Sequence, residues 1–218
     1  MRLYHFLNEQ YGLENIRNRR LKIARINELN DPFEFAGANL GNNDLREAFR
    51  KLKEVANKKR GLLCFSSKWS NPVMWSHYAN NHKGLCLGFD VANEAVLPVS
   101  YSARRFALDL EKIKSPHEQP PEYIIKILFT KYAHWKYENE YRAFASLEDA
   151  DKESELYFSR FSDRLTLKQV IVGAESSISR EQLSEVLGEE LQHVEKLKAR
   201  LAFKSFRVVQ QRNRGLWT

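Results

Sequence analysis

Apolar and polar positions fall into short blocks along this chain, and the blocks switch between a period of two and a period near 3.6. Tyr4-His5-Phe6 predicts a short first strand. Leu13, Ile16 and Arg17 lie at helical spacing, which predicts a brief helix over Leu13 to Arg17, and Leu21 to Ile26 predicts a second strand. In the following Asn27 to Glu34 stretch, Pro32 keeps Asp31 out of the helical region, so a structured turn is expected. The clearest amphipathic helix is Asp44 to Ala56, with Leu45, Ala48, Phe49, Leu52, Val55 and Ala56 on one face and Arg and Lys on the other. Leu62 to Ser66, after Gly61, reads as a buried strand. Asn71 suits a helix N-cap with Pro72 at the first helical position, opening a helix that carries Met74, Trp75, His77 and Tyr78 and ends before Gly84.

Leu85, Leu87 and Phe89 alternate as a strand, and Val99 to Tyr101 suggests another. Ser115 to Pro121, with three prolines, predicts a loop leading into a helix with Ile124, Ile127 and Leu128 on one side. Trp135 to Arg142 reads as a strand and Glu148 to Asp151 as an acidic loop. Leu167 to Val172 is strand-like, Ser179 and Gln182 form a capping-box pattern for a helix over Glu181 to Leu191, and Ala202 to Val209 closes the chain as a strand. Helices and strands interleave irregularly, and no Gly-x-Gly-x-x-Gly turn marks a doubly wound nucleotide fold. The expected architecture is α+β, with a split, mainly antiparallel sheet and flanking helices.

At 218 residues, 43% hydrophobic and 29% charged, the chain is expected to form one domain over 1–218, with a strand-helix-strand extension over 165–210. Cys64 and Cys86 sit in apolar runs and are expected to be buried, reduced thiols, which implies a cytoplasmic protein. No apolar run reaches the roughly 20 residues of a membrane span, and the N-terminus lacks signal-peptide character, so no membrane partner is expected. The net charge of +7 is gathered in patches: Arg17 to Arg25, Lys51 to Arg60, and Lys196 to Arg207. Such patches attract phosphates, in a nucleotide or a nucleic acid, or else form an ordinary solvated surface.

The six histidines make no metal-binding spacing, so no metal is expected. Cys64 lies mid-strand, and Ser66 and Ser67 lack a Gly-x-Ser-x-Gly elbow, which argues against serine or cysteine nucleophiles. His5 among aromatics is either a packed core residue or a hydrogen-bond donor to a ribose. Trp75, His77 and Tyr78 are either core or a wall for a planar ligand. Glu138, Glu140 and Arg142 are spaced by two, which on a strand aligns them on one face with Tyr137 and Tyr141 opposite. They are a cross-strand charge pairing, or a coupled pair of carboxylates fit for acid–base work or cation stabilisation.

Several motifs in order carry a resemblance: Leu3-Tyr4-His5, Leu29-Asn30-Asp31-Pro32-Phe33-Glu34, Cys64-Phe65-Ser66, Met74 to Ala79, Lys83 to Phe89, and Trp135 with Glu138, Glu140 and Arg142. Across residues 3–145 the chain resembles a bacterial family of unknown function, which in turn looks related to the ADP-ribosyltransferase superfamily. That resemblance implies NAD as substrate and no metal. His5, then Ser66 or Tyr78, then Glu140 would grip NAD, with Tyr4 beside His5. Glu140 would stabilise the ribosyl cation, and Glu138 would orient or deprotonate a protein or nucleic-acid acceptor. Tyr78 or Trp75 would stack on nicotinamide, and Arg25 would meet the pyrophosphate. Arg142, His77, Asn30, Asp31 and Glu34 would support these groups, although the superfamily supplies no role for the Asn30 to Glu34 turn. The resemblance also implies a toxin or anti-phage effector. The competing reading is a non-catalytic module that binds nucleotide or nucleic acid on the same fold.

Overall fold

The computed structural model describes residues 1–34, 37–107 and 121–217; the expected prolyl loop lies outside them up to residue 120. Strand β1 (Arg2–Leu7) runs into helix α1 (Glu9–Arg17), whose N-cap is Asn8 with its side chain accepting from the Tyr11 amide. Strand β2 (Arg20–Arg25) precedes helix α2 (Asn43–Lys59), capped by Asn42. Strand β3 (Arg60–Ser66), helix α3 (Pro72–Tyr78) and strand β4 (Leu85–Val91) follow, and Asn71 caps α3 with Pro72 in the first turn as expected. Short strands β5 (Leu97–Pro98) and β6 (Ser100–Ser102), helix α4 (Pro121–Leu128) and strand β7 (Thr130–Tyr132) lead to strand β8 (Glu140–Ser146). Strands β9 (Asp151–Glu153), β10 (Leu156–Arg160) and β11 (Leu165–Val172), helix α5 (Arg180–Leu187), and strands β12 (Glu195–Leu201) and β13 (Val208–Gln210) complete the chain.

Eleven strands form one mixed sheet, in which β11–β12 is the parallel pair and the others are antiparallel; β6 and β7 form a separate parallel pair. The fold is therefore α+β with a mostly antiparallel sheet. One half of the large sheet runs β13-β12-β11-β4-β1, and the other contains β9-β10-β2-β3-β8-β5. The two halves meet along one edge of β3. There Gly61 and Leu62 pair with β2, and Ser66 pairs with Tyr4 of β1. Leu63, Cys64 and Phe65 have no strand partner on that edge among the described residues, so the sheet opens into a gap. The His5 ring spans it, its Nδ1 donating to the Cys64 carbonyl at 2.8 Å.

The largest core cluster lies on one side of the sheet, where α1 and α5 pack: Leu3, Ile16, Leu85, Leu87, Phe89, Val170, Leu183 and Leu187 are fully or almost fully buried. A second cluster on the opposite side seats α3 through Phe6, Trp75, Cys86 and Ile171. At the junction of β1, β4 and α3, a Cβ on Gly84 would stand 2.0 Å from the Leu7 carbonyl oxygen, so only glycine lets the backbones approach this closely.

Three expectations from the pattern are corrected. Trp135 to Arg142 is not one strand. Ala133–Glu138 is a 3-10 helix, Asn139 takes a left-handed turn (φ 46°, ψ 50°), and the strand begins at Glu140. The α5 helix keeps its Ser179/Gln182 capping box but stops at Leu187, because Gly188 follows at φ 62°. Ala202 to Val209 is a hairpin turn entering β13, and the strand preceding it is β12. The expected acidic loop is present over Glu148 to Ala150, and its last residue, Asp151, opens the β9–β10 hairpin, whose Phe158 is buried. Helix α2 forms as expected, yet only Phe49 of its apolar face is fully buried, and Val55 is exposed.

Candidate functional site

The gap in the sheet opens, on the α3 side, into a cavity of about 210 Å³. Tyr4, His5 and Phe6 of β1 and Cys64, Phe65 and Ser66 of β3 form its sheet wall, while Leu29, Asn30, Glu34, Met74 and Tyr78 close it from the turn and α3. Lys131, Glu138, Glu140 and Arg142 lie along its charged wall.

Strand alternation places Glu140 and Arg142 on the cavity face of β8, opposite Ser66 and Cys64 of β3, and turns Tyr141 to the other face. Glu138 reaches the same site from the 3-10 helix. The turn at Asn139 lets it do so, since Asn tolerates the left-handed conformation better than most residues. The Ser66 hydroxyl fixes this turn by donating to the Glu138 carbonyl at 2.6 Å. Tyr101 adds a brace, its hydroxyl accepting from the Glu140 amide at 2.8 Å; burial pushes the Tyr101 pKa up to about 12.

Five charged side chains converge here, all almost completely buried: Glu34, Lys131, Glu138, Glu140 and Arg142. Arg142 grips Glu140 with two hydrogen bonds (Nε to Oε1 at 2.8 Å, Nη2 to Oε2 at 3.0 Å) and donates through Nη1 to Glu34 at 2.5 Å and to the Leu128 carbonyl at 3.1 Å. Lys131 Nζ donates to Glu138 at 2.6 Å and to Glu140 at 3.3 Å. On the far side of Glu138, the Tyr78 hydroxyl donates to Oε1 and in turn accepts from Asn30 Nδ2 at 2.5 Å.

Three carboxyls share two cations, so with all five ionised the cluster carries one excess negative charge in a poorly solvated place. The two neighbouring carboxyls respond in opposite directions. Burial raises the Glu138 pKa, and the Glu140 charge adds to the rise while Lys131 only partly offsets it. Burial acts on Glu140 too, but the Arg142 guanidinium, held by two hydrogen bonds, outweighs it and keeps Glu140 below the ordinary carboxylate range. Burial, followed by the Glu138 charge, raises the Tyr78 phenol, so it stays a protonated donor. Cys64 is also pushed up by burial and by Glu140, which leaves a neutral thiol rather than a nucleophile.

His5 is held neutral by desolvation. A carbonyl can only accept, so Nδ1 carries the proton and Nε2 keeps a lone pair. Nε2 can therefore only accept, the reverse of the expected donation from the ring.

The structure brings Tyr4, His5, Asn30, Glu34, Ser66, Tyr78, Glu138, Glu140 and Arg142 to one cavity. Trp75 is not among them. It is fully buried against Phe6 and His82, with its indole nitrogen donating to the Trp69 carbonyl, and packing leaves no face for a ligand. Arg25 does not line the cavity; its guanidinium pairs at 2.9 Å with Glu28, which does. His77 bonds the Tyr137 hydroxyl at 3.0 Å beyond the cavity wall. Asp31 shapes the turn, accepting from the Phe33 amide at 2.9 Å through its side chain and from the Glu34 amide at 2.9 Å through its carbonyl. This supplies the missing role of the Asn30 to Glu34 motif: one end orients Tyr78 and the other end balances Arg142. The residue that sequence reasoning missed is Lys131, a single lysine in a three-residue strand with no motif around it.

No helix among the described residues is long and apolar enough to cross a membrane. Comparison with curated proteins and with solved structures gives no match. One family model does match: residues 74–143, the segment that carries Tyr78, Lys131, Glu138, Glu140 and Arg142, are similar to the family described as "Protein of unknown function (DUF2971)".

Proposed function

We propose that this protein consumes NAD, breaking the bond between nicotinamide and ribose and passing the ADP-ribosyl group to a protein, nucleic-acid or water acceptor. The observation that carries the reading is the pair Glu138 and Glu140, buried in one cavity at the split of the sheet, where Arg142 grips Glu140 and holds it low while burial raises Glu138. Such a divergence assigns one carboxyl to charge stabilisation and its neighbour to proton transfer. A sheet split along β3 is compatible with the ADP-ribosyltransferase-like arrangement that the motifs imply.

In this reading the bonding electrons leave with neutral nicotinamide, and an oxocarbenium-like ribosyl cation develops. Glu140, kept ionised by Arg142, faces that cation. Glu138, with its raised pKa, takes the proton from the attacking acceptor, and Tyr78 holds its orientation. Nε2 of His5 accepts from a ribose hydroxyl. The cavity is smaller than the ~300–1,000 Å³ common for ligand sites, so it would take the ring and its sugar while the rest of the dinucleotide lies across the mouth. Free thiols at Cys64 and Cys86 are consistent with work in the cytoplasm, where NAD consumption would suit a toxin or phage-defence effector.

A second reading has its own observation. Both Glu140 oxygens and both Glu138 oxygens already hold protein partners, as expected of a structural network in a non-catalytic nucleotide- or nucleic-acid-binding module. Nicotinamide release from NAD separates the two. The enzyme reading expects Glu140→Gln to slow release by about 100-fold or more, the scale of losing one preorganised electrostatic group. Absence of both NAD binding and nicotinamide release in the wild type would leave only the binding module.

A further inference from the structure

The turn between β12 and β13 presents Phe203 and Phe206 at 90% and 99% exposure. Other exposed aromatics are less open, Tyr11 at 56% and Phe33 at 53% among them, and exposed apolar patches of this kind mark interaction sites. The rings alternate with cations. The Arg200 guanidinium lies 4.6 Å over the Phe203 ring, and exposed Lys204 and Arg207 follow Phe203 and Phe206 in the chain. Between this turn and the start of α3 runs a groove of about 540 Å³ walled by Pro72, His82, Leu201 and the turn itself. The turn is held to the body there, Val208 donating to the Ser70 carbonyl at 2.9 Å and Arg207 to the Ser70 hydroxyl at 3.3 Å.

We propose that this hairpin is a binding site for single-stranded nucleic acid, with bases stacked on Phe203 and Phe206 and phosphates neutralised by Arg200, Lys204 and Arg207. Aromatic faces alternating with cations suit a strand whose bases and phosphates also alternate. A lipid surface fits less well, since Lys204 and Ser205 stand between the two rings and would enter the apolar layer with them. The groove begins at Pro72 and the cavity is lined by Tyr78, six residues on along α3, a rise of about 9 Å. Groove and cavity therefore share helix α3 as a wall. As a binding site the hairpin stands alone; as the acceptor site of the transfer it rests on the proposed function.

The test is fluorescence anisotropy with labelled 12-nucleotide single-stranded DNA and RNA, alongside duplex DNA and phosphatidylserine vesicles. Wild type is expected to bind the single strands with a log–log salt slope near −2, from about three phosphate contacts. Phe203→Ala with Phe206→Ala should weaken binding at least 10-fold with an unchanged circular dichroism spectrum. Lys204→Gln with Arg207→Gln should flatten the slope. The binding assay contains no NAD, so failed NAD chemistry leaves the hairpin site intact. No single-strand binding, binding indifferent to the two phenylalanines, or preference for duplex or vesicles overturns the proposal.

Discussion

Strands β4 and β8 are each seven residues long and lie in opposite halves of the same sheet, yet they are held by different physics. Strand β4 buries Leu85, Cys86, Leu87 and Phe89, and each large side chain contributes on its own, about 1.5–3 kcal/mol. Strand β8 buries Glu140 and Arg142, which cost several kcal/mol per ion to desolvate and are tolerable only while their partners are present. One strand is a sum of independent contributions, and the other is a set that must be complete. The cavity lies beside the second kind, where the electrostatic field is strong because water is scarce.

Breaking each strand once gives the largest effects. Arg142→Met should cost about 3–5 kcal/mol at pH 7 by leaving Glu140 and Glu34 to share Lys131 with Glu138. Leu87→Ala should cost about 2–5 kcal/mol by opening a cavity. Urea unfolding at pH 7 and pH 4 distinguishes them: the Arg142→Met cost should shrink at pH 4 as Glu140 takes up a proton, while the Leu87→Ala cost should hold steady. Equal pH behaviour would refute the contrast.

Glutamine at each carboxyl sharpens the comparison within the charged set. Glu140 is depressed in the folded protein, so its stabilisation is present above the unfolded pKa and is lost as pH falls through the folded pKa. Glu138 is raised, so the folded state is favoured at low pH and loses stability as pH rises from the unfolded to the folded pKa. Glu140→Gln should cost about 1–3 kcal/mol at neutral pH and remove the acid-side loss. Glu138→Gln should cost less and remove the loss on the higher-pH side. Stability measured across pH 3–9 must show these opposite slopes.

Tyr78→Phe should have the smallest effect, about 1 kcal/mol or less, and should raise Glu138 further by removing the donor to its carboxylate. Titration of the Glu138 carboxyl carbon by NMR reads this directly, and an unmoved midpoint would mean that the phenol does not tune it.

Much of this was legible in the chain. Capping at Asn71-Pro72 and Ser179/Gln182 is local chemistry and appeared as expected. So did the alternation that buries β4. The motif residues His5, Ser66, Tyr78, Glu138, Glu140 and Arg142 were identified as site candidates and do line one cavity. The 3-10 segment departs from the expected strand: its aromatic-rich sequence resembles one, and nothing local to Trp135-Lys136-Tyr137 reports the left-handed turn at Asn139. Trp75 belongs to the core rather than the cavity, and the sequence does not separate the two because an aromatic on a helix looks the same whether it faces a ligand or the core.

The sequence by itself determined the local elements, the α+β class and the spacing that puts Glu140 and Arg142 on one strand face, because capping, turn chemistry and periodicity act over a few neighbouring residues. Only the tertiary structure decided that β3 leaves part of one edge unpaired, that Glu34 and Lys131 complete the charge set from 108 and 11 residues away from Arg142, and that Glu138 and Glu140 are driven apart in pKa. Those outcomes depend on burial and on distances across the fold, and neither is encoded in the spacing of residues along the chain.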